Sequence, residues 1–464
     1  MPELFDSASV LWHYIAARRR LGAISSKFDV EKIQAIGMKR FRQKVMTRSP
    51  FYREYADTPL SEIPIITKRE MLENFDDMNT AGIKLGDALA VGLQAERERD
   101  FSPMIDNITV GLSSGTSGSR GVFLVSKQER LRWAGTMLAH ALPHSILKPT
   151  RIAFFLRANS NLYTTLNRGK HLSLDFYDIT QGRLLGKAGS GRGEEAYVDK
   201  LTRTQPDILV APASILRHLA HRCYTGDLFI SPKRIFSVGE VLEPNDKAYI
   251  EEVFKLRACS LEAISRIRVD QIYQCTEGFL GISDQSGTIR LNEAFVLIEK
   301  EWIDEVSGRF RPVITDFSRT TQPIIRYRLD DILIEDRSDA GPFTAVKQIE
   351  GRADSTLYFP GADGKLKPIF ADTMRQAVLA SDLGGAEYQI IQTAPDSIEM
   401  QWGPAPAVPG PIHTKTFQRL LIDVAERHGC LPPTGVVTVL YQAPYDAKVR
   451  RIVRQFPVNE GQMQ

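Results

Sequence analysis

The sequence predicts an α/β fold: a large, multi-layer α/β domain over residues 1–351, followed by a small α+β domain over residues 352–464. Three observations lead there. The chain has 464 residues, 43% hydrophobic and 25% charged, which is ordinary for a folded chain of two or three domains and excludes a disordered tail or a fibrous protein. Short apolar runs recur with helical or polar stretches between them, the alternation that builds a buried, substantially parallel sheet. After Ile349-Glu350-Gly351-Arg352 the pattern changes to a smaller segment that ends in the basic stretch Lys448 to Arg454.

Taken in order, the first hundred residues read as mostly helical. They begin with a surface helix over Ser7 to Arg20, for which Asp6 is the expected cap. The runs Ile108-Val110, Ile152-Leu156, Ile208-Val210, Ile235-Val238, Ile272-Tyr273, Phe295-Ile298 and Ile324-Tyr327 read as strands, and Ser214 to Cys223 reads as a helix between two of them. Leu357 to Lys367 reads as a hairpin turning at Asp363-Gly364. In sheets of this kind, active sites lie on the loops beyond the strand ends.

Charge and cysteine usage narrow the function. Lys and Arg total 59 against 56 Asp and Glu, so the net charge of +3 leaves no electrostatic footprint for a nucleic-acid partner. Cys223, Cys259, Cys275 and Cys430 lie far apart with no CxxC pair, which argues against a disulfide framework and a zinc ribbon and for a reducing, cytoplasmic setting. No stretch approaches the roughly 20 apolar residues of a membrane span. Arg18-Arg19-Arg20 follows the partly apolar stretch Ala8 to Ala17, where a signal peptide would carry its charge in front.

The segment richest in chemistry is Ser113-Ser114-Gly115-Thr116-Ser117-Gly118-Ser119-Arg120-Gly121, set between two apolar runs. Glycines let backbone N–H groups converge on an anion, and the hydroxyls and Arg120 add donors for phosphate oxygens. A flexible Ser/Gly linker is the alternative, because the GxxxxGK[ST] pattern is not matched. His140 and His144 are interrupted by Pro143, and His218 and His221 read as surface or pocket-wall residues, so neither pair is taken as a metal site. Cys275 has no evident base and reads as pocket packing.

The Ser/Gly segment resembles the phosphate-binding loop of the adenylate-forming superfamily of carboxylate ligases, and further matches follow in that family's order. Ser237-Val238-Gly239-Glu240 resembles the segment lining the adenine pocket, and Tyr273-Gln274-Cys275-Thr276-Glu277 resembles the Tyr-x-x-Thr-Glu motif. Thr315-Asp316 with Ile325 to Asp331 resembles the ribose-binding strand, Gly351-Arg352-Ala353-Asp354 the hinge, and Lys448 with Arg451 the C-terminal Lys-x-x-Arg. Ser49-Pro50-Phe51-Tyr52 and Ile63 to Lys68 resemble the N-terminal region of the phenylacetate-CoA ligase branch, which also holds the synthetase that adenylylates a methanogen deazaflavin coenzyme.

The resemblance implies ATP-dependent activation of a carboxylic acid as acyl-AMP, with Mg²⁺ as cofactor, and then acyl transfer to an acceptor. An aromatic acid and coenzyme A are the expected partners. An amine or a carrier-protein thiol, nucleotidyl transfer to another acceptor, a catalytically silent nucleotide-binding homologue and a homodimer stay open. It places Ser113, Ser114, Gly115, Thr116, Ser117, Gly118 and Arg120 on the phosphates, and Gly239, Glu240 and Tyr273 at the adenine. It places Asp331 on the ribose, Arg352 on the nucleotide and Asp354 at the hinge of a small mobile lid. Glu277 would hold the metal, and Lys448 would act in catalysis with Glu277 and Thr276, since a cation at the bridging oxygen lowers the barrier to attack on the α-phosphate. Three departures stand out. Ala447 precedes Lys448 where the family has Gly, Asp330 stands at another Gly position, and the Asp363-Gly364 hairpin replaces an apolar stretch, which puts the coenzyme A step in doubt.

Overall fold

The computed structural model describes residues 2–98, 100–113, 120–142, 145–156, 172–179, 191–257, 265, 267–383, 387–403, 410–439 and 450–458. It divides into one unit of residues 1–329 with 334–348, and a second of residues 330–333 with 349–464. The first unit is built on the strands β4 (Thr150–Leu156), β5 (Leu172–Asp178), β6 (Ile208–Ala211), β7 (Arg234–Val238) and β8 (Val269–Gln274). They pair in parallel in the order β5-β4-β6-β7-β8.

Successive residues of a strand face opposite sides of a sheet, so a strand covered on both faces is apolar throughout. Ala153 and Phe155 of β4, with Leu209 and Ala211 of β6, pack into one core. Their neighbours Ile152, Phe154, Ile208 and Val210 pack into the opposite one. The first core is covered by α7 (Gly191–Thr204), α8 (Ala213–Thr225) and α9 (Pro244–Leu256), and the second by α1 (Pro2–Gly22) and α6 (Lys127–Ala141).

Beyond β8 the direction changes. β9 (Phe279–Ser283) and β10 (Ile289–Leu291) continue antiparallel, as do β11 (Val296–Asp304), β12 (Arg309–Asp316) and β13 (Ile324–Arg328) among themselves. The parallel reading of the sequence therefore holds for the four runs Ile152-Leu156, Ile208-Val210, Ile235-Val238 and Ile272-Tyr273, beside which β5 is a fifth strand not read from the sequence, and it does not hold for Ile108-Val110, Phe295-Ile298 or Ile324-Tyr327. These are joined to their neighbours by connections far too short for a crossover, which forces antiparallel pairing.

Before the main sheet come α2 (Lys27–Lys44), α3 (Lys68–Glu73), α4 (Phe75–Met78) and α5 (Leu85–Glu98), and a separate sheet of β1 (Met104–Ile105), β2 (Ile108–Leu112) and β3 (Val122–Ser126). Two expectations for α1 are corrected. The helix starts well before Ser7, so Asp6 lies inside it rather than capping it; its carboxylate is buried and paired with Lys127 Nζ at 2.8 Å. Nor is α1 a helix resting on the surface, because Val10, Tyr14 and Ala17 share a core with Leu131, Ala134 and Leu138 of α6.

The second unit has its own core, formed by Leu357, Phe359, Ile369, Ile390, Met400, Phe417 and Leu421 among others. Its four-stranded sheet runs β20-β19-β18-β21, from β18 (Glu387–Ala394), β19 (Ser397–Gly403), β20 (Thr434–Val439) and β21 (Ile452–Arg454), beside the helices α10 (Ala371–Leu379) and α11 (Pro411–Arg427). The expected hairpin is present as β16 (Leu357–Pro360) and β17 (Leu366–Ile369), and Gly364 takes the left-handed φ of +77° that its turn requires. Among the described residues, no helix is long and apolar enough to cross a membrane.

The seating of α1 on α6 depends on Gly135. A Cβ there would lie 2.5 Å from His13 Cβ, 2.7 Å from Tyr14 N and 2.8 Å from Val10 O, and backbone atoms cannot rotate away. Gly135→Ala is expected to lower unfolding stability by about 1–3 kcal/mol, the usual cost of overpacking. This would be read as a lower urea midpoint at unchanged m-value. An unchanged midpoint would show that this contact does not hold α1.

Candidate active site

The Ser/Gly segment connects β2 to β3, which pair antiparallel with Leu112 opposite Val122. Its base is closed by two hydrogen bonds: Ser113 N donates to Gly121 O at 2.8 Å, and Gly121 N donates to Ser113 Oγ at 2.7 Å. A Cβ on Gly121 would meet Phe123 Cε2 at 2.8 Å, so only glycine fits where the strand resumes. Ser114, Gly115, Thr116, Ser117 and Gly118 lie outside the described residues. Arg120 is described, and its guanidinium is ion-paired with Glu96 of α5.

The Thr276-Glu277 pair occupies the turn from β8 into β9, at the C-terminal edge of the parallel strands. The turn is closed by Cys275 N donating to Gly278 O at 3.1 Å. Glu277 is buried, and the Tyr327 hydroxyl of β13 donates to its Oε1 at 3.3 Å. The Tyr327 ring in turn meets Phe123 of β3 edge to face, with centroids 6.5 Å apart. On the other side, a Cβ on Gly111 of β2 would sit 3.8 Å from Thr276 Cγ2. Three segments separated by more than a hundred and fifty residues from first to last thus meet: the hairpin that carries the Ser/Gly loop, the Thr-Glu turn and the Arg-Tyr-Arg strand.

That strand is firmly held. Arg326 adopts a left-handed φ of 46°, rare for a residue with a side chain. Its guanidinium is paired with Glu299 at 2.9 Å and donates to Ser61 O at 2.8 Å and Ile63 O at 2.5 Å. Arg328 is paired with Glu301 at 3.2 Å. Both arginines are therefore structural.

Behind the hairpin lies a buried polar network that the sequence reading missed. Glu129, at the start of α6, accepts from Ser126 N at 2.6 Å and Ser126 Oγ at 2.7 Å, and from Thr321 N at 2.9 Å and Thr321 Oγ1 at 2.7 Å. Gln322, fully buried, accepts from Leu124 N at 2.9 Å and donates to Val122 O at 3.2 Å. Arg319 donates to Leu124 O at 3.2 Å. Burial by itself would raise the Glu129 carboxyl, but Arg319 and the Thr321 and Ser126 donors outweigh it and hold the group below the usual carboxylate range. Asp316 shows the opposite balance. Its burial keeps the carboxyl above the usual range despite donors from Ser318 at 2.7 and 2.6 Å.

The other expected residues fall as follows. Gly239, with φ of 76°, and Glu240 follow the end of β7, on the same edge of the sheet as Thr276 and Glu277. Glu240 Oε2 accepts from Ser214 N at 3.1 Å, in the first turn of α8, which ties the ends of β6 and β7 together. Tyr273 is buried within β8. In the second unit, Asp331 opens β14 (Asp331–Glu335), while Asp330 lies before the strand with its carboxylate bound to Arg352 Nη2 at 2.8 Å. Asp354 is paired with Arg450 at 2.8 Å and lies 3.6 Å from Arg352 Nε. Lys448 lies outside the described residues. Among the described residues, no group of three or more His, Cys, Asp or Glu is placed to hold a metal. His140 is half-buried, its imidazole pushed down to about 4 chiefly by desolvation and further by Arg18, and its Nδ1 lies 2.9 Å from Thr136 O.

The fold is similar to that of solved ligases that form acyl-adenylates. Among solved structures, a 2-hydroxyisobutyryl-CoA ligase in the postadenylation state with 2-HIB-AMP matches at TM-score 0.63 and 18% identity, over 94% of this chain and 91% of that one. The same ligase in an open conformation with 2-HIB-AMP and CoA matches at TM-score 0.55 and 17% identity, over 93% of each chain. An acyl acid amido synthetase matches at TM-score 0.50 and 12% identity, over 88% of this chain and 84% of that one. At the level of sequence, no family model and no curated protein matches the chain.

Glu129 supplies a pH test of the network. A carboxyl depressed in the folded state contributes stability that is fully present above its unfolded value, about 4.3, and is lost as pH falls through the folded value below that. Glu129→Gln replaces two acceptor oxygens by one and is expected to cost about 3–5 kcal/mol at neutral pH, the scale for breaking a buried ionic network. The gap between wild type and variant in urea denaturation should narrow as pH falls below about 4. A gap that stayed constant with pH would show that the Glu129 charge does not hold the network.

Proposed function

We propose that the chain is an ATP-dependent, adenylate-forming carboxylate ligase. The carboxylate of an organic acid, of which an aromatic acid is the best candidate, attacks the α-phosphate of ATP. An acyl–phosphate bond forms, the bond to pyrophosphate breaks, and acyl-AMP results. A thiol, coenzyme A in the first instance, then takes the acyl group and AMP leaves. The observation that carries this reading is the meeting of Glu277 with the base of the Ser/Gly hairpin, through Thr276 against Gly111 and through Tyr327 against Phe123.

Each residue then has a task. The Ser/Gly loop cradles the phosphates with backbone N–H groups and hydroxyls, its ends fixed by Ser113 and Gly121. Glu277 and Thr276 offer one carboxylate and one hydroxyl, a donor set that fits Mg²⁺, which takes few protein ligands and keeps phosphate oxygens and water. When bound, the metal neutralises charge on the phosphates. Tyr327 orients the Glu277 carboxylate through its hydroxyl. Gly239, Glu240 and Tyr273 form the adenine side, and Asp331 takes the ribose hydroxyls. Lys448 brings a cation to the α-phosphate, and Asp354 is the hinge residue. The free thiols of Cys223 and Cys430 fit a reducing, cytoplasmic setting. The β16–β17 hairpin, placed where the resembling ligases carry an apolar stretch, favours a second acceptor reading: an amine or a carrier-protein thiol.

ATP–pyrophosphate exchange with a panel of acids tests the first half-reaction without knowledge of the acceptor; no acid-dependent exchange across aromatic, aliphatic and amino acids would overturn the reading. Glu277→Gln is expected to reduce exchange by about 10²-fold, the loss typical of one electrostatic stabiliser, with little change in melting temperature. Wild-type exchange at limiting Mg²⁺ would remove Glu277 from the site. Lys448→Ala should slow acyl-adenylate formation by about 10²-fold while leaving the reaction of a supplied acyl-adenylate with acceptor nearly intact. Equal slowing of both steps would overturn the reading that Lys448 acts in adenylation alone and that the small domain alternates between the two steps.

A further inference from the structure

Arg120 is the one basic residue in the segment Ser113 to Gly121, and its guanidinium is engaged by a carboxylate. Nη1 donates to Glu96 Oε2, and the two side chains remain 38% and 34% exposed. Nothing in the sequence links these residues, which lie 24 positions apart. The link is made by α5. Ala88, Gly92 and Ala95 form its buried stripe, and a Cβ on Gly92 would meet Leu112 Cγ at 2.8 Å, so the helix lies hard against the end of β2. Glu96 follows Ala95 and reaches the point where the loop rejoins the sheet, one residue before Gly121.

A phosphate loop with a carboxylate on its only cation presents a conflict of charge. We propose that Glu96 is an affinity-determining residue for the nucleotide: it is the resident counter-ion of Arg120, and the polyphosphate must take its place. This rests on reading the Ser/Gly loop as the phosphate site. Two effects of Glu96 act in the same direction, since it occupies the guanidinium and also repels an incoming polyanion at short range. Its one opposing effect is to order the Arg120 side chain. A half-exposed ion pair contributes little of that kind, so the repulsive effects decide the sign. Because both groups are in contact with solvent, the competition weakens as salt screens it.

The experiment is calorimetric titration of the full chain with ATP in the presence of Mg²⁺. Glu96→Gln is expected to bind ATP about fivefold more tightly than wild type at low ionic strength, the factor that corresponds to releasing one exposed ion pair. The gain should shrink toward unity at about 0.5 M salt, where the screening length falls to a few ångströms. In an Arg120→Ala background the same substitution should gain less than about twofold, because the competed cation is gone. Glu96→Gln should melt within about 2 °C of wild type, so that affinity and folding are read separately. Equal or weaker ATP binding by Glu96→Gln overturns the inference, as does a gain that persists undiminished without Arg120. Wild-type protein that shows no saturable ATP binding overturns the functional reading, and this inference with it.

Discussion

The carboxylate of Glu129 is the constraint on which the rest of the first unit turns. It is buried, and the bonds it accepts reach both to its own helix start and to Thr320 and Thr321, nearly two hundred residues away in sequence. Thr80 N adds a bond to Thr321 O at 2.8 Å, so the N-terminal helical region is tied into the same place. Ionised carboxylates tolerate burial only when their oxygens are met by donors. Here those donors come from backbone whose position decides where the hairpin β2–β3 sits against the Arg-Tyr-Arg strand. The β2–β3 hairpin is thereby positioned by a buried charge as well as by its own ladder.

Around that anchor, the site is assembled from strand ends. The parallel strands β6, β7 and β8 end together, and their C-terminal edges deliver Ser214, Gly239-Glu240 and Thr276-Glu277 in a row. The antiparallel strands supply the opposite wall, with Tyr327 bonded to Glu277 and Asp316 against Gly278, where a Cβ would lie 3.2 Å from Oδ2. The change of strand direction at β8 therefore shapes the candidate site. It turns the chain back on itself and sets a wall across from the edge where loops converge.

Much of this was legible in the sequence, and the limits have physical reasons. Four strands of the parallel core were visible because both of their faces are largely apolar, whereas β5, whose run is broken by Ser173 and Asp175, was not read. The Thr-Glu turn and the Ser/Gly segment stood out because their chemistry is local. Glu129 was not legible. Ser126 and Glu129 form a capping box, a pattern that announces a helix start and hides the same carboxylate's bonds to Thr321. Glu96 was hidden for a related reason, since an acid near the end of an amphipathic helix looks like a solvated face. Asp6 was misread because α1 begins before it, and a buried acid paired with Lys127 looks in sequence like any other cap. Contacts that close across long stretches of chain leave no periodic trace.

Arg326 gives the Tyr327 strand a fidelity that pairing bonds alone would not. A β-strand displaced by a single residue keeps most of its ladder bonds while every side chain changes face, so a slipped arrangement is a ready trap during folding. In this chain a slip would turn the Tyr327 hydroxyl away from Glu277. It would also demand the left-handed backbone of a different residue, and pull the guanidinium off the carbonyls of Ser61 and Ile63. The uncommon conformation acts as a pawl: the strand accepts one position, and the wrong one is rejected before the pocket closes.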